Sequence, residues 1–468
     1  MSGVRRGDRE AGRVGTDDGA GKKTLEIRVE QNREVKRLLE VAAKGGKPDL
    51  EAWETALRGA VLACGAKVLA EMLAAQGSGR REEPVVCRCG QRMESEGVRP
   101  KELLTILGPV SYERSRFKCS GCGATRYPGD EALDVVGTTR SPGLRRMMAR
   151  AGSQSTFKDG RDDLRIYAGV EVSAKDVERV AERIGQEMDI WGERERQALF
   201  GPERQREPGK DIPLMYVSYD GTGVPMRPEE LIGVKGKHAD GTAKTREAKL
   251  GCVFTQTTAD EERHPIRDPD STTFVGAIET AEAFGWRIYG EARRRGVERA
   301  RRIVVLGDGA EWVKNLAEMH FPGAVLIIDL YHAREHVAAL CRALFGADEK
   351  KMKRRRQHWW ALLDEGKVET IVSQAALALP EDPDLRKSAA AEIRYLNKNK
   401  KRMRYNKFRA QGLFVGSGVV EAGCKTIIGQ RLKQSGMEWS VRGANAILAL
   451  RCIMKSNRLE DYWESRAA

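Results

Sequence analysis

The spacing of apolar and polar residues divides the N-terminal part of the chain into segments of different kinds. Residues 1–22 are rich in Gly, Arg and Asp and have almost no large apolar side chains, so we expect a disordered tail. Apolar residues recur at helical spacing over 23–80 on both sides of GGKPD, which predicts a helical arm whose second helix is capped by Asp49. Alternating residues over 81–135 predict a small β unit.

Residues 141–200 follow a helix, helix, tight turn and helix pattern. The turn AGVEVS precedes a long helix for which Ser173 is the predicted cap. This order is typical of a helix-turn-helix, in which the last helix enters a major groove. An ordinary interdomain helical hairpin is the alternative interpretation.

The second half of the chain begins after a charged linker near 201–211 and contains the clearest strand signals. Two short apolar runs, LMYVSY and RIVVLG, lead directly to Asp220 and Asp308, as expected where a buried strand reaches the edge of a sheet. The predicted elements are strands at 214–220, 249–257 and near STTFVGAI, a helix at about 278–296, and strands at 302–307 and 324–329.

Three strands, a helix and then alternating strands and helices is the order of an RNase H-like fold, a mixed sheet with helices on its faces. In that fold the first and fourth strands lie side by side, so Asp220 and Asp308 become neighbours although 88 positions separate them (308 − 220). Residues 333–412 have an almost entirely helical pattern and predict an all-α insertion between the core at 210–332 and its C-terminal helices at 413–468. The expected fold class is therefore multidomain α+β.

A third acidic residue, Glu421 in GVVEAGCK, lies on a predicted helix with Ser417 as its cap. Two aspartates at strand ends and one helical glutamate can gather a pair of Mg²⁺ or Mn²⁺ ions, which prefer carboxylate oxygen and keep positions open for phosphate and water. Such a metal site suits reactions at phosphodiester bonds. Each acid alone also has an ordinary interpretation as a turn residue or a surface charge.

The composition favours a large protein with a polyanionic partner. At 468 residues the chain exceeds the size of one hydrophobic core, so two to four domains are expected. The 82 Lys and Arg outnumber the 68 Asp and Glu, which gives a net charge of +14 and points to nucleic acid. The N-terminus lacks the apolar core of a signal peptide and no stretch of 18 apolar residues occurs, which predicts a cytoplasmic protein.

Four of the nine cysteines form two closely spaced pairs, Cys87 with Cys89 in CRCG and Cys119 with Cys122 in CSGCG. Cysteine pairs followed by glycine and bridged by strand-like sequence predict a zinc ribbon, in which four thiolates hold a structural Zn²⁺. Four ordinary cysteines in a small β unit are the alternative. The other five read as small buried apolar residues.

Clusters of basic residues provide candidate DNA contacts. Lys and Arg with interleaved aromatic residues suit a surface that neutralises phosphates and stacks on unpaired bases, although a solvated helix face is the common alternative. The candidates are Lys175, Arg179 and Arg183 in the predicted recognition helix, and Lys353, Arg354, Arg355, Arg356, Lys400, Lys401, Arg402, Arg404 and Tyr405 in the predicted insertion.

The ordered set of Asp220, Asp308, the DLYH segment at 329–332, and Glu421 followed by GMEWS and NAILALRC resembles bacterial DDE transposases of the ISKra group over roughly residues 210–463. It is similar, more loosely, to Mutator-like transposases, which carry Asp or Cys, two residues and His between the second and third catalytic acids. The resemblance implies that Asp220, Asp308 and Glu421 hold two metal ions and that Asp329 and His332 support the site. It also implies a bacterial, nucleoid-associated protein that binds terminal inverted repeats and target DNA as a homo-oligomer.

Asp329 also ends a predicted strand and so competes with Asp308, which we prefer because it follows the fourth strand. His332 has the alternative role of a core histidine. Two other functions stay open: an RNase H-like nuclease, such as a junction resolvase, that cuts DNA without joining ends, and a non-catalytic sequence-specific DNA-binding regulator. A dinucleotide-binding enzyme is disfavoured because DGTG lacks the third glycine and the spacing of that loop.

Overall fold

The computed structural model describes residues 33–44, 49–79, 84–200, 209–234, 236 and 243–467. The tail predicted at 1–22 and most of the linker near 201–211 lie outside these residues. The chain divides into two compact units, Met1–Gly152 with Phe157–Glu178 and Ser153–Thr156 with Arg179–Ala468. Within the described ranges, no helix is long and apolar enough to cross a membrane.

The first unit combines helices with a three-stranded sheet. Its elements, the last of which continues into the second unit, are α1 (Arg33–Ala43), α2 (Leu50–Ala75), β1 (Met93–Thr105), β2 (Gly108–Cys119), β3 (Thr125–Arg126), α3 (Pro128–Ala132), α4 (Pro142–Gln154), α5 (Phe157–Asp163), a π-helix (Leu164–Ala168) and α6 (Ala174–Ala198). The β unit predicted for 81–135 is present, with order β1-β2-β3 and antiparallel pairing. Asp49 caps α2 as predicted, because its side chain accepts a hydrogen bond from the Ala52 N–H at 3.0 Å.

A buried carboxylate ties the sheet of the first unit to α3. Asp130 is 2% exposed and accepts hydrogen bonds from the Lys101 ammonium at 2.8 Å, from the Tyr112 hydroxyl at 2.7 Å, and from the Arg114 guanidinium. Lys101 lies on β1, and Tyr112 and Arg114 lie on β2. Because a buried charge is tolerated only when it is paired and hydrogen-bonded, these donors are what allow Asp130 to remain inside.

The helices predicted for residues 141–200 are present. α5 passes into the π-helix, and the chain then turns at Gly169, whose φ of 68° lies in the left-handed region that favours glycine. The Ser173 hydroxyl accepts a hydrogen bond from the Asp176 N–H at 3.0 Å, so Ser173 caps α6 as predicted.

The second unit is a sheet covered by helices. Its strands are β4 (Ile212–Pro225), β5 (Thr245–Gln256), β6 (Thr258–Ala259), β7 (Pro265–Ile266), β8 (Thr273–Ala277), β9 (Ala300–Gly307) and β10 (Val325–Ile328). Its helices are α7 (Ala281–Arg294), α8 (Glu311–His320), α9 (Leu330–Phe345), α10 (Glu349–Asp364), α11 (Val368–Ala376), α12 (Pro383–Asn399), α13 (Tyr405–Ala410), α14 (Gly418–Gly423), α15 (Gln430–Leu432), α16 (Val441–Lys455) and α17 (Leu459–Ala467), with 3₁₀ turns at Pro228–Leu231, Val297–Arg299 and Lys400–Arg402 and a π-helix at Cys424–Gly429.

The five main strands are ordered β10-β9-β4-β5-β8. β4 pairs antiparallel with β5 and parallel with β9, β5 pairs antiparallel with β8, and β9 pairs parallel with β10. The first and fourth long strands of the unit are therefore neighbours at the centre of the sheet. Residues 215–219 of β4 have no exposed surface, which explains why this strand reads as a continuous apolar run rather than an alternating one.

Helices pack on both faces of this sheet. On one face, alternate residues of β4 such as Val217 and Tyr219 form one core cluster with Phe284 and Ile288 of α7 and with Leu316 of α8. On the other face lie α14 and α16. Gly423 comes so close to the sheet that a Cβ there would stand 2.8 Å from the Phe274 ring and 2.9 Å from Leu250, so α14 can pack here only with glycine at this position.

The segment from α9 to α13 is helical, in agreement with the pattern of residues 333–412. Two tyrosines attach it to the ends of strands. The Tyr395 hydroxyl on α12 donates to the carbonyl of Asp308 at 2.9 Å, and the Tyr405 hydroxyl donates to the carbonyl of Ile328 at 3.0 Å. Helices α12 and α13 therefore contact the edge where the parallel strands end.

We predict that Asp130→Ala lowers the free energy of unfolding of the first unit by about 3–5 kcal/mol, because Lys101 is left buried without its partner. Thermal and urea denaturation followed by circular dichroism measure the change. The matched control is Glu96→Gln, which weakens partly exposed pairs with Arg116 and Lys118 and should cost about 0–1 kcal/mol. Equal effects for the two variants would show that Asp130 does not organise the sheet.

Candidate active site

Asp220 and Asp308 lie at the same level of two adjacent parallel strands. The pairing of β4 with β9 matches Val217 to Val305 and Ser218 to Leu306, and each aspartate comes two residues further along its own chain. The sequence prediction that β4 ends at Asp220 is wrong, because pairing with β5 continues to Pro225 after β9 has stopped. Asp220 therefore lies within a strand, on the side that β9 leaves unpaired.

Glu421 reaches this edge from α14. Val420 and Ile427 are buried, and the helix widens into the π-helix at Cys424–Gly429 immediately after Gly423. π-Helical turns inside α-helices occur frequently at functional sites. The Cys424 thiol lies 3.7 Å from Asp220 Oδ2, so the junction of α14 and the π-helix stands directly over the first aspartate. The reading of Cys424 as a buried apolar residue is wrong, because its sulfur faces a carboxylate.

Each of the three carboxylates has one oxygen held by a neighbouring donor. Asp220 Oδ1 accepts the Gly221 N–H at 2.7 Å, Asp308 Oδ1 accepts the Ala310 N–H at 2.9 Å, and Glu421 Oε1 accepts the Ser417 hydroxyl at 2.9 Å. Among the described residues, the second oxygen of each acid has no hydrogen-bond donor other than the weak thiol of Cys424. This arrangement fixes the orientation of each side chain and leaves one oxygen available.

Burial and like charge act together on Asp220. Burial raises the pKa of its carboxyl group, and the negative charges of Asp308 and Glu421 raise it further. The carboxylates are nevertheless spaced more widely than the ligands of one ion. In the part of the chain that the structure describes, the only set of three or more possible ligand atoms within 4.8 Å of one another is the set of four cysteines.

Asp329 has a different environment from these three acids. It is 1% exposed, and both of its oxygens are occupied: Oδ1 accepts the His332 N–H at 2.7 Å, and Oδ2 accepts the Ser417 N–H at 2.5 Å and lies 3.0 Å from the Ser417 hydroxyl. It therefore caps α9 and holds the loop before α14. The Asp329 carboxylate thus has donors at both oxygens, whereas the Asp308 carboxylate has a donor at one.

Ser417 does not cap α14 as the sequence predicts. Its side chain makes no hydrogen bond to the first turn of the helix, and it lies instead between two carboxylates, those of Asp329 and Glu421. The backbone of the same loop is fixed by a hydrogen bond from the Leu330 N–H to the Val415 carbonyl at 2.9 Å. The loop is thus attached to the end of β10 at two points.

His332 belongs to a second group of polar side chains rather than to the acid cluster. Its Nε2 lies 3.2 Å from Nε2 of His336, whose Nδ1 lies 2.6 Å from the Glu392 carboxylate. The His336 ring stacks on Tyr395 with ring centroids 3.6 Å apart, and Tyr395 in turn binds the carbonyl of Asp308. The His332 side chain thus connects with the inserted helices, while its backbone N–H supports Asp329.

The four predicted zinc ligands of the first unit lie together. Cys87 Sγ is 3.4 Å from Cys122 Sγ, Cys89 Sγ is 3.5 Å from Cys119 Sγ, and all four sulfur atoms lie within 4.8 Å of one another. Tetrahedral thiolates around Zn²⁺, each about 2.3 Å from the ion, have sulfur atoms at similar separations. This cluster has the ligands and spacing to bind a metal such as zinc.

The predicted DNA contacts fall into exposed and occupied groups. Lys175, Arg179 and Arg183 are exposed on α6, where Lys175 pairs with Glu178 and Arg183 with Glu187. Lys353 and Arg354 are exposed on α10 and Lys401 is exposed in the 3₁₀ turn after α12, and Lys353 pairs with Glu349. Arg355 and Arg356 lie over the rings of Trp359 and Trp360, at 5.8 Å and 5.1 Å from the ring centroids.

Lys400 and Arg402 are half-buried in a 3₁₀ turn, and Arg404 pairs with Glu369. The prediction that Tyr405 contacts DNA is corrected, because its ring has no exposed surface and its hydroxyl is bound to Ile328. Phe408, only 8% exposed, is likewise a core residue.

Comparison with known proteins gives relatives without an assigned activity. The sequence model of an uncharacterised protein family, UPF0236, matches residues 292–464. A UPF0236 protein in the vanSb 3′ region of Streptococcus gallolyticus is 22% identical over 383 residues, covering 80% of this chain and 77% of that protein. A UPF0236 protein of Caldanaerobacter subterraneus subsp. tengcongensis, whose name covers eleven locus designations, is 22% identical over 361 residues, covering 76% of this chain and 68% of that protein.

Among solved structures, the chain matches one from the Drosophila P element transposase strand transfer complex with 8% identity. The match covers 68% of this chain and 80% of that chain, and its TM-score is 0.22. A TM-score this low does not establish a common fold.

Three residues at the acid site were not found by sequence reasoning: Ser417 as a link between carboxylates, Tyr395 on the carbonyl of Asp308, and Cys424 beside Asp220. Ser417 and Cys424 flank Glu421 in GSGVVEAGCK, so their closeness to the third acid was visible, but the direction of each side chain was not. Tyr395 lies 87 residues from Asp308 in the middle of a helix and carried no local signal.

We predict that Asp220→Asn raises the melting temperature in buffer without divalent cations. The pKa of Asp220 is raised in the folded chain, so above the carboxyl group's ordinary pKa its ionisation favours the unfolded chain, and this destabilisation is complete once the pH exceeds the raised value. The asparagine variant avoids this cost near neutral pH and gains nothing in acid, where both states are protonated. Calorimetry at about pH 7 and about pH 3 measures the difference.

The control for this variant is Asp348→Asn at the cap of α10, where Asp348 accepts the Lys351 N–H at 2.9 Å. Its melting temperature should change little, since asparagine caps helices about as well as aspartate. A lower melting temperature for Asp220→Asn near neutral pH would contradict the assigned electrostatics.

We also predict that Cys119→Ser abolishes metal binding by the cysteine cluster, because three thiolates hold Zn²⁺ much more weakly than four. Elemental analysis should find about one Zn²⁺ per wild-type chain and nearly none in the variant. Cys64→Ser, on α2 and outside the cluster, should retain the ion. Equal zinc content in Cys119→Ser and the wild type would refute a four-cysteine site.

Proposed function

We propose that this protein is a DDE-type DNA transposase that binds the ends of an insertion sequence and catalyses metal-dependent strand cleavage and strand transfer. One observation carries the proposal: three carboxylates at one sheet edge each have one oxygen held and one available, while the competing Asp329 has both oxygens occupied. Such an arrangement is suited to binding cations, whereas the repulsion among its negative charges lowers the stability of the fold. Among groups of acids in a protein, those with perturbed pKa values and open oxygens are the better functional candidates.

The strand order supports an RNase H-like catalytic core. Numbered along the second unit, the long strands β4, β5, β8, β9 and β10 stand in the order 5-4-1-2-3, with only the first three antiparallel. This is the arrangement that the order of elements in the sequence predicts, and it puts the first and fourth strands together. Within this proposal, residues 210–332 and 413–468 form the core, with the helices between them as an insertion.

The residues fit a pair of Mg²⁺ or Mn²⁺ ions. Oxygen ligands suit these hard cations, and Asp220, Asp308 and Glu421 each have one carboxylate oxygen held by a neighbouring N–H or hydroxyl donor and one that is not. Asp220, Asp308 and Glu421 would hold the ions, whose chemistry when bound would be Lewis-acid activation of the attacking oxygen and stabilisation of charge on the leaving oxygen. The protein holds Asp220, Asp308 and Glu421 in place through the Gly221 N–H, the Ala310 N–H and the Ser417 hydroxyl, and burial of Asp220 keeps bulk water from one side of the site.

The relatives support a mobile element. One protein name that covers eleven locus designations in a single genome is what copying of one sequence within that genome produces. For this chain, the net charge of +14 and the exposed lysines and arginines of α6 and α10 are suited to phosphate contacts. We assign the helix-turn-helix to recognition of terminal inverted repeats and expect a homo-oligomer on DNA, because transposition brings two ends together.

An RNase H-like nuclease that cuts without joining ends would use the same acids, and strand transfer distinguishes it from a transposase. A DNA-binding regulator without catalysis is less consistent with the site, since three partly buried acids that repel one another would be retained without a use. The cysteine cluster would then serve as a structural Zn²⁺ site in either case.

We predict that Asp220→Asn, Asp308→Asn and Glu421→Gln each reduce cleavage and strand transfer by at least about 10²-fold while leaving DNA binding nearly unchanged, because these residues contribute to chemistry and affinity depends on the basic surface. The assay uses labelled duplexes carrying the inverted repeats that flank the gene, with Mg²⁺ or Mn²⁺. Glu318→Gln, an exposed residue of α8, is the control and should react normally. Normal cutting by any of the three variants would refute that residue's assignment, and cutting without joining by the wild type would favour the nuclease.

A further inference from the structure

We infer that Ser417 is a positioning residue for the third acid. Its hydroxyl orients the Glu421 carboxylate for a divalent cation, and Ser417 is itself held in place by the buried carboxylate of Asp329. The inference rests on the proposed metal-dependent function. Ser417 is 7% exposed, and its Oγ lies 2.9 Å from Glu421 Oε1 and 3.0 Å from Asp329 Oδ2. Ser417 thus contacts both Glu421, which has one carboxylate oxygen without a hydrogen-bond donor, and Asp329, which has a donor at each oxygen.

The chemistry of the hydroxyl determines which carboxylate it serves. A serine hydroxyl has one hydrogen and can donate to one of these oxygens at a time. Asp329 already accepts two backbone N–H groups, from His332 and from Ser417 itself. Glu421 receives no other hydrogen bond within the described ranges, so the Ser417 hydroxyl donates its hydrogen to Glu421 rather than to Asp329.

Asp329 is a firm reference point for this contact. It follows β10 directly, its own N–H donates to the Gly307 carbonyl at 2.8 Å, and its carboxylate caps α9. Gly307 is the residue before Asp308. The second and third acids are therefore connected by three hydrogen bonds. The Asp329 N–H donates to the Gly307 carbonyl, the Ser417 N–H donates to the Asp329 carboxylate, and the Ser417 hydroxyl donates to Glu421.

Removal of the hydroxyl would leave most of this path intact. In Ser417→Ala the backbone N–H still donates to Asp329, and the Leu330 to Val415 hydrogen bond still closes the loop. What is lost is the contact that fixes Glu421. Hydrogen-bond partners of metal-binding carboxylates are worth about 10- to 100-fold in metal affinity, so the effect should appear in cation binding rather than in folding.

The test measures Mn²⁺ binding by electron paramagnetic resonance of the free ion, with wild type, Ser417→Ala, Ser417→Thr and Asp220→Asn at equal zinc content. Ser417→Ala should weaken Mn²⁺ binding about 10- to 100-fold. Ser417→Thr, which keeps the hydroxyl, should recover most of the affinity. Melting curves and DNA binding of Ser417→Ala should match the wild type, and its cleavage rate should recover at high Mg²⁺ whereas that of Asp220→Asn should not.

The outcomes separate this inference from the proposed function. Wild-type Mn²⁺ affinity in Ser417→Ala, together with loss of binding in Asp220→Asn, would overturn the role of Ser417 and leave the acid site in place. A Ser417→Thr variant that folds normally and binds as weakly as Ser417→Ala would also overturn it. A wild-type protein that binds no Mn²⁺ would overturn the metal site itself, and this inference with it.

Discussion

The parallel pairing of β4 with β9 is the contact on which the acid site depends. β4 is fully buried at its centre, so its apolar side chains permit little change in register, since a shift by one residue would turn its core side chains to the opposite face. The same register puts Asp220 level with Asp308. Stability of the core and placement of the first two acids are thus determined by one set of backbone hydrogen bonds.

The arrangement of the three carboxylates destabilises the fold at the acid site. Two aspartates and a glutamate at one sheet edge repel one another, and Asp220 is partly buried as well. The surrounding structure offsets this cost by local hydrogen bonds to one oxygen of each acid. Tyr395 and Tyr405 also secure this edge, because their hydroxyls bind the backbone carbonyls of Asp308 and Ile328. These contacts leave the carboxylates themselves untouched.

Much of the second unit could be predicted from sequence because strand signals in a buried sheet are local. The run before Asp220, the run before Asp308 and the helices between 330 and 410 all show in the pattern of apolar residues, and their order indicates the sheet. The extent of β4 beyond Asp220 could not be predicted, because it depends on pairing with β5 across the Gly221–Gly223 segment, which reads as a turn.

The direction of individual side chains was the second feature of the fold that could not be predicted from the sequence. Ser417 has the position and residue type of a helix cap, but its hydroxyl lies between Glu421, which is 4 residues away in the chain, and Asp329, which is 88 residues away. Tyr405 lies among lysines and arginines and yet is buried, because a helix places neighbouring residues on different faces. The cysteine cluster was predictable because both pairs lie on tight turns, where spacing alone determines which sulfurs can meet.

Helices α9 to α13 separate Glu421 from the two aspartates in the chain, so that Glu421 comes 201 positions after Asp220 and 113 after Asp308 (421 − 220 and 421 − 308). Contacts between distant residues form late because loop closure must precede them. During synthesis from the N-terminus, all five strands of the sheet with Asp220 and Asp308 leave the ribosome before α14 does. A chain that stops before α14 therefore contains two of the three acids, and only the finished protein has the complete set.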